Sequence, residues 1–249
     1  MGKIREWLDK FRKFTLTYGY TCDHCGTELF DYPLHRVCAE CEAKLCFPLH
    51  ACPKCGREGV SDGVCLTCKS RMPAFTKGIA LFSYKGESAL LVNRMKNGNP
   101  RLSAYLGEQM ADALLEKYAG AENTPWLIIP VPLTEKRRKL RGYNQAELLA
   151  ESVQNRLAER GVCAELDKEI LTKTRETELQ KEKGAKDRAD NAQGAYHVHK
   201  RKACEGKCIL LIDDILTTGA TGSACAKALF GAKAKEVIFL TAAAMPENK

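Results

Sequence analysis

No stretch of this 249-residue chain approaches the ~20 consecutive apolar residues needed to cross a bilayer. Its first residues, MGKIREWLDKFRKF, are charged throughout and lack the apolar centre of a secretory signal. A membrane-spanning or exported protein is therefore not expected, and a cytoplasmic location is. The bulk composition is ordinary, since 45% hydrophobic and 28% charged residues suit a soluble globular chain. The length provides interior for one large domain or two modest ones.

Cysteine, by contrast, is abundant. Of thirteen cysteines, nine fall within residues 22–68, and the others are Cys163, Cys204, Cys208 and Cys225. Without export a disulfide framework is not expected, and the clustering points to metal. Four pairs recur as CDHC, CAEC, CPKC and CLTC, separated by 12, 10 and 9 residues. Each pair offers two thiolates on a tight knuckle, and two knuckles close one tetrahedral site. Eight thiolates thus suit two zinc ions. Sequential pairing is simplest: Cys22, Cys25, Cys38 and Cys41, then Cys52, Cys55, Cys65 and Cys68. Interleaved pairing is the alternative. Four sulfurs leave no open position, so the zinc is expected to be structural. Cys46 is the odd member and is expected to be a buried thiol.

The formal charge of +8 is unevenly placed. Residues 1–74 hold 11 Lys/Arg and 9 Asp/Glu, a balance of +2; residues 75–249 hold 28 and 22, a balance of +6. Eight thiolates around two divalent ions lower the first segment by four, to −2. Positive charge then belongs to the second segment, where a polyanionic partner is sought first.

Ile4, Trp7, Leu8, Phe11 and Phe14 lie at helical spacing and predict a basic amphipathic helix within residues 1–21. Packing against its own protein is preferred over a membrane-surface role. Residues 22–74 read as a knuckle-and-hairpin zinc domain without long helices, followed by a domain over 75–249 with its own core. In the latter, strands are predicted at 78–84, 126–133, 208–212 and 236–244, with a further strand in AELDKEILTKT. Helices are predicted at 87–98, 101–118, 144–160 and 220–232. The polar stretch 173–192 reads as a surface loop with some helix. Nearly continuous apolar strands alternating with helices predict a parallel α/β sheet covered on both faces.

The stretch ILLIDDILTTGAT (209–221) concentrates the chemistry. Two adjacent carboxylates, Asp213 and Asp214, follow a buried strand, and ligands of open α/β sheets bind at carboxyl ends of strands. TTGAT then leads into a helix, whose first N–H groups form an anion cradle. No GKT or GKS follows, which excludes a Walker loop. Carboxylates beside a phosphate cradle suit a ribose 5-phosphate.

This stretch resembles the phosphoribosyl-pyrophosphate (PRPP) motif of type I phosphoribosyltransferases. The wider chain resembles the ComF family, which joins an N-terminal double zinc ribbon to such a domain. IPVPL, RRKLRGYNQAELLA, TRETELQ and DRADNAQGAY contribute to the likeness, which covers nearly the whole chain. It implies a type I phosphoribosyltransferase fold and binding of Mg²⁺ with PRPP. It further implies that Asp213 and Asp214 bind the ribose hydroxyls, and that Thr217, Thr218, Gly219, Ala220 and Thr221 hold the 5-phosphate. Arg137 and Arg141, in the basic loop before Gly142–Gln145, would meet the pyrophosphate. Lys173 and Tyr196 depart from the usual arginine and phenylalanine, and the proline common before the first CxxC is missing.

The leading reading is a phosphoribosyltransferase acting on an unspecified nucleophilic acceptor. The resemblance also implies natural competence and DNA uptake. The alternative is therefore a non-catalytic accessory that binds single-stranded DNA and works with a DNA-uptake helicase. A homodimer is compatible with either. A purely structural zinc adaptor leaves the PRPP motif unexplained.

Overall fold

A computed structural model describes residues 20–29, 36–59, 63–173 and 195–247. The expected N-terminal helix and nearly all of the polar stretch 173–192 lie outside them. Five strands form one sheet in the order β1-β7-β6-β2-β3, all parallel. They are β1 (Lys77–Ser83), β2 (Trp126–Pro130), β3 (Ala164–Leu166), β6 (Cys208–Leu216) and β7 (Glu236–Ala244).

The strand sequences explain how the sheet is buried. Side chains alternate between faces, so an unbroken apolar strand needs cover on both. Ile128, Leu210, Ile212, Ile238 and Leu240 join one apolar cluster with α3 (Gly86–Asn97), α4 (Leu102–Lys117) and α6 (Gln145–Glu159). Their neighbours Leu127, Ile129, Ile209, Leu211, Val237 and Phe239 join a second cluster with α8 (Ala220–Gly231).

The cysteine segments, which contain the short helices α1 (Ala39–Glu42) and α2 (Leu66–Ser70), divide between these faces. Cys22, Val37, Cys41 and Leu45 pack into the first cluster; Cys52, Cys55, Cys65, Cys68 and Phe75 pack into the second. The expected separate core is thus not observed. Small knuckles have too little apolar surface to enclose one, and they cover the sheet instead.

Four local differences separate the structure from the sequence expectation. AELDKEILTKT forms two strands, because Asp167 Oδ1 accepts from the N–H of Glu169 at 2.8 Å and of Ile170 at 3.1 Å. This turn diverts the chain from β3 into β4 (Leu171–Lys173), which pairs antiparallel with β5 (Tyr196–Val198). The basic loop before Gly142 is a helix, α5 (Glu135–Arg141), capped by the Thr134 side chain. A short helix α7 (Arg201–Cys204) precedes β6.

The fourth difference shapes the site. β6 does not stop at Ile212 but runs on to Leu216, because β7 continues to pair with it as far as Ala244. On its other edge the pairing with β2 ends at Ile212 and Pro130. From β2 the chain crosses to β3 on one side, and from β6 it crosses to β7 on the other. Connections that diverge between neighbouring strands open a crevice at their carboxyl ends. Asp213 and Asp214 stand at that opening.

Candidate functional site

The two acids are differently held. Asp214 is 9% exposed, and its Oδ2 accepts a 2.7 Å ion pair from Lys96 Nζ. Asp213 turns its Oδ1 onto the N–H of Asp214 at 2.9 Å. Burial, and then the Asp214 carboxylate, push the Asp213 carboxyl up to about 8. Without a further cation, then, the pair carries less than two negative charges at neutral pH.

Lys96 lies at the end of α3 and had no signal in the sequence beyond a cation in the last helical turn. Its position is set by Gly142–Gln145. Tyr143 donates through its hydroxyl to Met95 O at 2.7 Å, and Gln145 Nε2 donates to Lys96 O at 3.3 Å. Asn144 Nδ2 donates to Val131 O at 3.1 Å, which ties the same segment to the chain leaving β2. The three side chains therefore hold together the α3 end and the β2 exit on the crevice.

Beyond the acids, Thr217 and Thr218 are exposed, and Gly219 adopts φ +79° as the N-cap of α8. A side chain there would be strained in this left-handed conformation, which explains the glycine. The Ala220 N–H reaches Thr218 Oγ1 at 3.4 Å, while those of Thr221 and Gly222 have no intrahelical acceptor. These amides and the positive end of α8 favour an anion. Thr221 also lies beside Tyr196. Burial, then the neighbouring Cys225 and Asp213, push the Tyr196 phenol far up, while Arg137 acts in the opposite sense. Lys173 Nζ lies 5.4 Å from the Tyr196 ring centre, so both departures from the family pattern meet at this edge.

The arginines of α5 have unequal roles. Arg137 is half-buried on the side of Tyr196. Arg141 donates to Gln145 Oε1 at 3.0 Å, and Arg138 makes a two-pronged pair with Glu147, each bond 3.1 Å. The structure thus brings Asp213, Asp214, residues 217–221 and Lys96 to one crevice and places Arg137 towards it. Arg141 is engaged with Gln145.

The eight paired cysteines form two four-sulfur groups, Cys22/Cys25/Cys38/Cys41 and Cys52/Cys55/Cys65/Cys68, with sulfurs within 4.8 Å of one another. Distances of 4.0 Å for Cys22–Cys41 and 3.7 Å for both Cys25–Cys38 and Cys55–Cys65 test the fit. A regular tetrahedron with metal–sulfur bonds of ~2.3 Å has edges of about 3.8 Å. The groups match it. Backbone N–H groups of Cys38 and Cys65 point at Cys22 and Cys52 sulfurs at 3.3 and 3.4 Å, as knuckles that stabilise thiolates do. The Thr27 hydroxyl lowers Cys25 to about 6 and the Cys68 thiol lowers Cys55 to about 5, while burial raises Cys38, Cys41 and Cys65. Cys46, expected to be buried, is half-buried, with its sulfur 3.8 Å from Lys44 O.

No family model matches the chain. Competence protein F of Haemophilus influenzae is 28% identical over 220 residues, covering 85% of this chain and 91% of that protein. Competence protein ComFC of Bacillus subtilis is 27% identical, covering 76% and 75%. The chain is a homologue of the ComF proteins. A further relative, the DNA utilization protein YhgH of Salmonella typhimurium, is 26% identical over 78% of this chain and 83% of its own. Among solved structures, the L. donovani hypoxanthine-guanine phosphoribosyltransferase has a TM-score of 0.33 at 13% identity, covering 62% of this chain and 67% of its own. The Trypanosoma cruzi hypoxanthine phosphoribosyltransferase has a TM-score of 0.36 at 12% identity, covering 64% and 79%.

Proposed function

We propose that this chain is a phosphoribosyltransferase-like competence protein that binds Mg²⁺ and PRPP in the crevice between β2 and β6. The observation that carries the reading is the placement of Asp213 and Asp214. They occupy the part of β6 where its β2 edge has opened, a few residues before the amides that begin α8. A ribose 5-phosphate has hydroxyls for the acids and a phosphate for the loop, and few other small ligands match both.

In this reading the carboxylates accept hydrogen bonds from the ribose 2- and 3-hydroxyls, and residues 217–221 hold the 5-phosphate. Lys96 occupies Asp214 until a hydroxyl replaces it. Arg137 offsets charge that grows on the pyrophosphate as a nucleophile attacks C1. Bound Mg²⁺ would supply further neutralisation of the leaving pyrophosphate, with Asp213 and Asp214 as its nearest carboxylates. The raised Asp213 carboxyl supports a cation, since a carboxyl pair pressed together gains most from one.

The two cysteine groups hold one zinc ion each, with structural roles. Residues 22–74 form the zinc-binding part and 75–249 the transferase-like part, and the two share their apolar clusters. Among the described residues no helix is long and apolar enough to cross a membrane.

Calorimetric titration with Mg²⁺ and PRPP tests the proposal. Wild type should bind, ribose 5-phosphate should bind more weakly, and Asp213→Asn with Asp214→Asn should abolish the heat. Equal binding by the double variant would place the ligand elsewhere.

A second reading, an accessory for single-stranded DNA, draws on the exposed basic helix α5 and on the relatives named for competence and DNA utilization. In that case the phosphate-binding crevice regulates nucleic-acid binding rather than catalysing transfer.

A further inference from the structure

The second cysteine group lies against the loop that follows the acids, through one buried arginine. Arg57 stands two residues after Cys55, is 6% exposed, and donates from Nη2 to the carbonyl of Thr217. Its Nε is buried and has no hydrogen-bond partner among the described residues. A buried guanidinium with an unsatisfied donor costs stability and is expected where it serves something else.

We propose that Arg57 is a positioning residue, through which the second cysteine group sets the conformation of loop 217–221 for anion binding. The proposal rests on reading this loop as the phosphate cradle. A trans peptide is planar, with its C=O and N–H directed oppositely. Fixing the Thr217 carbonyl on Arg57 therefore turns the Thr218 N–H away from the cysteine group. The same guanidinium adds a positive charge beside the amides at the start of α8.

The arginine can act this way only if its own base is rigid. The knuckle that carries it is docked backbone to backbone on β1. The Gly78 N–H donates to Lys54 O at 2.8 Å, and a Cβ on Gly56 would come within 2.7 Å of the Ala80 nitrogen. The N–H of Cys52 closes the knuckle on Arg57 O at 2.7 Å. Two further ties reach the same region. The Ala74 N–H donates to Ser223 Oγ in α8 at 3.0 Å, and that of Thr67 donates to Glu247 at 3.2 Å. The first cysteine group instead contacts the α3 region on the opposite face, through His24–Glu87 at 2.8 Å and Asn99–Asp23 O at 3.1 Å. It therefore serves as an internal control.

The test compares wild type with Arg57→Ala and Arg57→Lys, each with its zinc content measured. Amide hydrogen exchange of 217–222 should speed up in Arg57→Ala and be partly restored in Arg57→Lys, whose amine reaches the same carbonyl. Exchange of α3 should not change. Affinity for Mg²⁺ and PRPP should fall about tenfold in Arg57→Ala. Unchanged exchange at 217–222, or an equal rise in α3, overturns the proposal. Failure of wild type to bind PRPP overturns the ligand reading instead, and the exchange comparison still decides the role of Arg57.

Discussion

At the scale of single residues, Asp213 makes the most direct link between structure and solution behaviour. It lies beside Asp214, whose Oδ2 holds Lys96, and its carboxyl is raised to about 8 from an unfolded value of 3.8. The folded state therefore holds its proton more tightly than the unfolded chain. That contribution is fully present below about pH 4 and is lost as pH rises through about 8. Without ligand, wild type should lose thermal stability across this window relative to Asp213→Asn. Melting temperatures in a pH series check it, and parallel curves for the two proteins would rule out the shift. Asp213 was legible in the sequence because two acids at a strand end are a local pattern. Lys96 was not, because its pairing with Asp214 depends on where α3 ends in space.

At the scale of elements, α5 carries the question of nucleic acid. It is a seven-residue helix with five basic side chains, none of its residues is buried, and Leu140 is 88% exposed. Arg138 is paired with the Glu147 carboxylate, whereas Arg141 meets only the neutral Gln145, so Arg137, Lys139 and Arg141 keep positive charge on this helix. Single-stranded DNA bound here should weaken with salt, the log–log slope shrinking by roughly 0.7 for each phosphate contact removed. Because Arg137 also stands towards the crevice, Mg²⁺ and PRPP should compete with DNA in part at low salt. Fluorescence anisotropy across a salt series, for wild type and Arg137→Ala/Arg141→Ala, measures both effects. Strong DNA binding indifferent to PRPP and to the double variant would separate the two sites.

At the scale of the whole molecule, the cysteine groups sit on opposite faces of the sheet and share its apolar clusters. Removing their zinc should therefore not leave an intact α/β domain behind. Protein purified with zinc should hold about two ions. Complete chelation should lower the melting temperature by at least about 10 °C and loosen amides of β6 and β7 as well as the knuckles. Persisting protection of those strands after full zinc removal would show that the faces are covered well enough without the metal groups.

The sequence alone determined the strands of the central sheet, the long helices, the four knuckles and the acid-plus-loop motif. Each of these is encoded locally, by apolar runs, helical spacing or two cysteines a knuckle apart. Only the tertiary structure decided which knuckles pair, which face each covers, and that β6 carries Asp213 and Asp214 past the end of β2. It also decided that Lys96 reaches Asp214, that Arg57 reaches Thr217, and that Arg141 turns to Gln145. The reason is separation along the chain. Residues 57 and 217 meet only because β1 and β6 lie in one sheet with β7 between them, and no local spacing connects them.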